Sequence, residues 1–141
     1  MTGDDITFGL ALIGYALLGA DFARQHSGRS TTWLSALTAI VVGTHVLCVW
    51  GLRFDWSLTQ MWHKSAAGFV IFHSALCLVL AIPFLRARRR LVTSGAFALV
   101  SAGALPAPFR YPELSLLALP LLAVAGISLG CAITAMRRST K

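Results

Sequence analysis

Five long apolar stretches, separated by short polar turns, constrain the fold of this chain more than any other feature. They cover residues 6–23, 32–50, 66–85, 91–106 and 114–136. A helix needs about 20 mostly apolar residues to cross a bilayer, with roughly 17–25 tolerated. Lipid offers no hydrogen-bond partner to a bare backbone, so spanning segments of this kind are helical. The sequence therefore predicts an all-α integral membrane protein: one transmembrane domain over residues 1–141, built as a bundle of five transmembrane helices.

The composition agrees with a bilayer as the solvent. Charged residues make up 12% of the chain, about half of their share in soluble domains, which is roughly 25%. The chain starts with the acidic segment 1–5, whereas a secretory signal begins with basic residues. We therefore expect the first apolar stretch to be retained as a helix. The expected location is the bacterial inner membrane, as a multi-pass protein.

The basic residues predict the orientation of the helices. The net charge is +7, but the basic residues cluster between apolar stretches and form no single nucleic-acid-binding face. With the N-terminus outside, nine of the 12 Lys and Arg residues fall in cytoplasmic segments, as the positive-inside rule requires. Only Arg53, Lys64 and Arg110 fall outside. Five spans with a cytoplasmic C-terminus satisfy this rule, whereas a four-span model in which the 91–106 stretch does not cross would place the basic C-terminal segment outside.

Two histidines, His45 and His73, lie within the second and third apolar stretches. Ionisable side chains at membrane depth are costly and usually mark a functional site. If these stretches form a hairpin about residue 59, each histidine lies 14 residues from the turn. They would then share one depth, in the outer half of the bilayer, and could face each other. Histidine is a common axial ligand of haem iron, so the pair is predicted to hold haem b.

The outer boundary offers candidate partners for the haem propionates. Arg53 and His63 belong to the loop after the second stretch, and Arg110 belongs to the loop after the fourth. An arginine can bind a carboxylate through two parallel hydrogen bonds. We therefore predict that Arg53, Arg110 and His63 contribute to cofactor binding.

Other roles for the histidines remain open. An intramembrane histidine can simply bond a Ser or Thr hydroxyl on a neighbouring helix. Cys48 and Cys77 lie one turn from His45 and His73, as a copper site would need, but the hairpin separates the two thiols along the membrane normal. Asp21 and Arg24 are close enough on one helix to form a local pair. The sequence contains no hydrolase or phosphate-binding motif.

These observations predict a b-type haem electron-transfer subunit of a larger redox complex, without catalytic activity of its own. It would relay electrons between a periplasmic-side redox protein and the quinone pool, and its partners would be other membrane subunits. The alternative is a cofactor-free structural or assembly subunit. A third hypothesis for the same histidines is that the protein is a small metal or proton transporter.

Overall fold

The computed structural model describes residues 3–29, 31–110 and 112–139, and every regular element within these ranges is helical. Two short 3₁₀ turns, Arg86–Arg88 and Pro112–Leu117, precede the last long helices. The α-helices are α1 (Gly3–His26), α2 (Thr32–Phe54), α3 (Leu58–Lys64), α4 (Ala66–Ala81), α5 (Arg89–Ala104), α6 (Ala107–Arg110) and α7 (Ala118–Ser139).

Within the described ranges, four helical runs are long and apolar enough to cross a membrane. They are Ile6–His26, Thr32–Phe54, Arg86–Phe109 and Leu114–Arg138. The prediction of a helical, multi-pass membrane protein is confirmed at this level. The count of five spans and the orientation of the two termini stay predictions.

The third and fourth apolar stretches differ from expectation. The 66–85 stretch forms α4, a helix of 16 residues, or about 24 Å at 1.5 Å per residue, which is shorter than a hydrocarbon core of roughly 30 Å. Pro83 follows its end and cannot continue the hydrogen-bond ladder. The 91–106 stretch, which is short in sequence, belongs instead to the 24-residue run Arg86–Phe109. The structure therefore strengthens the fourth predicted span and weakens the third.

The loop between α2 and α4 contains the short helix α3. The Ser57 hydroxyl accepts the backbone N–H of Gln60 at the start of α3, and the Ser65 hydroxyl accepts that of Gly68 at the start of α4. These serine caps satisfy N–H groups that a helix start leaves without an intrahelical partner. They separate the segment into two helices joined at Ser65.

Helix α1 is the central element of the bundle. It packs against α2, α5 and α7, while α4 packs against α5 and α2. Between α1 and α5, Phe22 and Phe97 stack with ring centroids 4.6 Å apart, and Tyr15 bonds the Ser101 hydroxyl at 2.8 Å. In lipid, such packing and interhelical hydrogen bonds hold helices together, since both partners are already out of water.

Close helix approach depends on glycine at one contact of α1. A Cβ atom at Gly19 would collide with the Ser128 hydroxyl of α7. By contrast, the Gly126–Gly130 spacing of α7 has open space beside both glycines. This GxxxG pair therefore does not pack against another helix among the described residues.

The bundle has two chemically different ends. The end of α1 and the start of α5 meet at the first, which carries Arg29, Arg88 and Arg90 and is called the arginine end below. The second is called the tryptophan end, where Trp50 and Trp56 meet edge to face at 5.3 Å. Trp56 and Asp55 both have positive φ, and the Trp56 ring lies against Gly51, where a Cβ atom would come within 2.8 Å of it.

Candidate functional site

His45 lies toward the tryptophan end of α2 and faces α1. Its Nδ1 atom is 2.9 Å from the backbone carbonyl oxygen of Thr7. A carbonyl can only accept a hydrogen bond, so Nδ1 carries the hydrogen and donates it. The Nε2 atom of His45 then retains its lone pair and is the nitrogen available to a ligand or a metal.

In His73 the same ring nitrogen is a donor, but its acceptor lies on its own helix. Its Nδ1 donates to the Phe69 carbonyl one turn earlier on α4, at 2.7 Å. Its ring lies against Phe69, with centroids 3.8 Å apart, and meets Phe72 edge to face at 5.3 Å. Trp62 of α3 extends this aromatic row, 5.5 Å from Phe69. His73 is half-buried, and its own helix orients its ring. Nε2 is the ring nitrogen that makes no bond to the backbone.

The helices that carry the two histidines do pack against each other, as the hairpin hypothesis requires. The His45 bond crosses from α2 to α1, as a purely scaffolding role would also require, although its acceptor is a backbone carbonyl and not a Ser or Thr hydroxyl. The direct approach of the two rings across α2 and α4 stays a prediction.

The predicted propionate partners have different surroundings. The Arg53 guanidinium carbon lies 5.0 Å from the centroid of the Phe8 ring, a cation–π distance. His45 and Arg53 thus contact adjacent residues of one turn of α1. His63 is exposed on α3. The side chain of Arg110 lies outside the described residues, so its predicted role is unaffected by the fold.

The copper alternative gains no support from the geometry. Within the described ranges, no three residues among His, Cys, Asp and Glu come together closely enough to hold a metal ion. Cys48, Cys77 and Cys131 are all free thiols.

Sequence reasoning missed a buried polar cluster near the arginine end. The Asp21 side chain is completely buried, and its two oxygens accept separate hydrogen bonds. Ser35 of α2 donates to one at 2.7 Å, and Gln25 donates to the other at 3.1 Å. The expected local partner, Arg24, supplies neither of these hydrogen bonds, but its charge interacts electrostatically with the Asp21 carboxyl. Asp21 therefore links α1 to α2.

Arg89 brings α5 into the same cluster. It is 7% exposed, and its guanidinium donates to the Thr32 hydroxyl and to the Pro83 carbonyl, each at 3.3 Å. Its charge also attracts the Asp21 carboxyl electrostatically. The cluster thus joins α1, α2, α5 and the turn after α4. Asp21, as a carboxyl inside an apolar stretch, was the available sequence signal, whereas Arg89 is hidden in a run of arginines.

Comparison of the chain with protein-family models, with curated protein sequences and with solved structures gives no match. A functional proposal for this protein therefore depends on its own residues and their geometry.

Proposed function

We propose that this protein is a membrane-embedded b-type haem subunit that transfers electrons within a larger redox complex of the bacterial inner membrane. The observation that carries the proposal is the shared state of His45 and His73. Each donates its Nδ1 hydrogen to a backbone carbonyl and keeps Nε2 free to coordinate. Histidines that bind metals typically hold their second nitrogen in this way, which fixes the ring and its tautomer.

The surroundings of His73 also suit a flat, apolar cofactor. Phe69 and Phe72 give its ring aromatic neighbours, and Arg53 and His63 supply positive or polar groups at the tryptophan end. The chain's three cysteines form no CxxCH motif, so the haem would be held without covalent attachment. When bound, the haem would supply one-electron chemistry, while the protein's residues would orient and enclose it.

The loops are too short to bind a large soluble substrate, so we propose that electrons pass between other subunits, a periplasmic-side redox protein and quinone. Large apolar side chains are exposed on the helices, including Leu116 at 88% and Leu119 at 79%. These exposed apolar side chains are suited to contact lipid or neighbouring membrane subunits.

The test is the absorption spectrum of the protein purified from haem-replete cells. His45→Ala and His73→Ala should each abolish or shift the reduced-minus-oxidised b-type bands while the protein still inserts. His26→Ala is a matched control, because His26 also bonds the carbonyl of a Phe one turn earlier and packs on that ring. His26 lies at the arginine end, so its loss should leave the bands unchanged. Unaltered spectra in both of the first two variants would refute the proposal.

A second candidate is a cofactor-free structural or assembly subunit. The observation that favours it is the resemblance between His26 and His73. Both donate Nδ1 to their own helix and contact a Phe ring, so this local arrangement also occurs away from the predicted haem site. A preparation that contains no haem, with variants that change only stability or complex assembly, would favour this candidate.

A further inference from the structure

A groove opens at the arginine end of the bundle, far from the two membrane-depth histidines. One cleft of about 950 Å³ lies between the end of α1 and α7, and a second of about 450 Å³ lies between the end of α1 and the start of α5. His26 and Arg90 line both clefts. The two clefts therefore adjoin, and together they are called the α5–α7 groove.

The mouth of the α5–α7 groove is strongly basic. Its cationic lining residues are Arg29, Arg88, Arg90 and Arg138, with His26 between the two clefts. No acidic residue is among the described residues that line it. Guanidinium groups match the geometry of phosphate oxygens and bind them through paired hydrogen bonds. The mouth therefore has the charge and the donor groups to hold phosphate.

The wall of the groove along α7 is mostly apolar, with Thr134 as its polar residue besides Arg138; Gln25, Ser27 and Ser94 line the clefts outside α7. Along α7 the groove extends from Arg138 back to Ile127 and includes Gly130, Cys131 and Ala135. Eleven residues separate its ends, or about 16 Å at 1.5 Å per residue. No atom lies within 4 Å of a Cβ built on Gly130, so space is open beside the helix there. This part of the groove lies inside the apolar run Leu114–Arg138.

The packing of the bundle explains why the groove exists. Helices α5 and α7 each pack against α1. The space between α5 and α7 at the end of α1 therefore stays open. A free anion would use only the basic mouth. An anionic lipid would use the mouth for its headgroup and the apolar wall of α7 for an acyl chain.

We propose that the α5–α7 groove binds an anionic phospholipid, with its phosphate among the arginines and an acyl chain along α7. Basic pockets between transmembrane helices are established sites for such headgroups in other membrane proteins. A bound lipid would fill the space between α5 and α7 and hold α7 in place. This site is independent of haem binding.

Native mass spectrometry of the detergent-purified protein tests the proposal. The protein is mixed with cardiolipin, phosphatidylglycerol or phosphatidylcholine, and retained lipid is counted. The two anionic lipids should be retained and phosphatidylcholine should not. Arg90→Gln combined with Arg138→Gln should weaken retention about 10- to 30-fold, from the usual contribution of each arginine near anionic lipid. The matched control combines Arg86→Gln with Arg137→Gln, which removes the same charge from exposed residues outside the groove.

A second pair of variants tests the acyl-chain part of the groove without changing charge. Gly130→Val should fill the open space and reduce lipid retention, whereas Gly126→Val, one turn away and outside the groove lining, should not. Equal loss in both arginine pairs would overturn the proposal, because retention would then follow net charge alone. It would also be overturned if inorganic phosphate at millimolar concentration displaced the lipid, or if Gly130→Val bound lipid as well as the unaltered protein.

Discussion

The hydrogen bond between Ser35 and Asp21 allows a quantitative test of the buried polar cluster. Ser35→Ala removes the hydroxyl that donates to the Asp21 carboxyl at 2.7 Å. Both side chains are 0% exposed, so water cannot replace the lost donor. The hydrogen bond from Gln25 remains, but the other carboxyl oxygen of Asp21 loses the hydrogen bond that Ser35 donated.

Hydrogen-bond energies measured in soluble proteins and in membrane proteins bound the expected loss in the free energy of unfolding. Hydrogen bonds to charged groups contribute roughly 1.5–3 kcal/mol in soluble proteins. Interhelical hydrogen bonds in a membrane protein average about 0.6 kcal/mol, with a maximum of about 1.7. Complete burial, the short distance and the carboxyl acceptor place this bond at the upper end of the membrane scale. We expect Ser35→Ala to lower the free energy of unfolding by about 1.5 kcal/mol.

The assay is reversible unfolding in mixed micelles of mild detergent and dodecyl sulfate, followed by tryptophan fluorescence. Ser94→Ala is the matched control, because the Ser94 hydroxyl bonds only the Arg90 carbonyl of its own helix, at 2.8 Å. Its effect should stay within about 0.5 kcal/mol. A double-mutant cycle with Asp21→Ala, which removes the acceptor, should show a coupling energy of about 0.5 kcal/mol or more. Equal effects of Ser35→Ala and Ser94→Ala, or strict additivity with Asp21→Ala, would refute the reasoning.

Three further predictions concern packing, topology and the cofactor. Gly19→Ala should destabilise the bundle by about 1–3 kcal/mol, because the added methyl meets the serine hydroxyl of α7; Gly9→Ala, which meets nothing within 4 Å, should be neutral or stabilising in the same unfolding assay. Cysteines placed at Thr59 and Arg88 should be labelled by impermeant reagents from the periplasmic and the cytoplasmic side respectively, and labelling of both from one side would contradict the five-span model and the shared depth of the two histidines. Arg53→Ala should lower haem retention during purification more than Arg88→Ala does, and equal retention would assign Arg53 another task.

The histidine hypothesis shows how much of a candidate site a sequence pattern can predict. The positions of His45 and His73 within apolar stretches were visible in the chain, and so was their equal distance from a possible turn. Their hydrogen-bond partners were not. The Thr7 carbonyl that His45 contacts lies 38 residues away, and its position depends on how α1 packs on α2. The Phe69 carbonyl, one turn from His73, could have been considered from sequence because it is local.

The lengths of the helices were only partly predictable. Apolar runs are a local property, so the sequence alone predicted membrane helices over most of their observed extent. The ends of the observed helices differ from those of the 66–85 and 91–106 stretches, because helix ends depend on proline placement and capping as well as hydropathy. Pro83 follows the end of α4, whereas Pro108 falls in the first turn of α6, where proline costs little.

Helical secondary structure and membrane residence follow from the sequence by itself, because lipid forces any long apolar segment to satisfy its backbone within one helix. Only the tertiary structure decided which polar groups share the interior. Asp21, Ser35 and Arg89 come from three helices, and no local rule brings them together. Their cluster exists because polar residues of α1, α2 and α5 meet where these helices pack together, and each is at most 7% exposed, so bulk solvent cannot replace its partners.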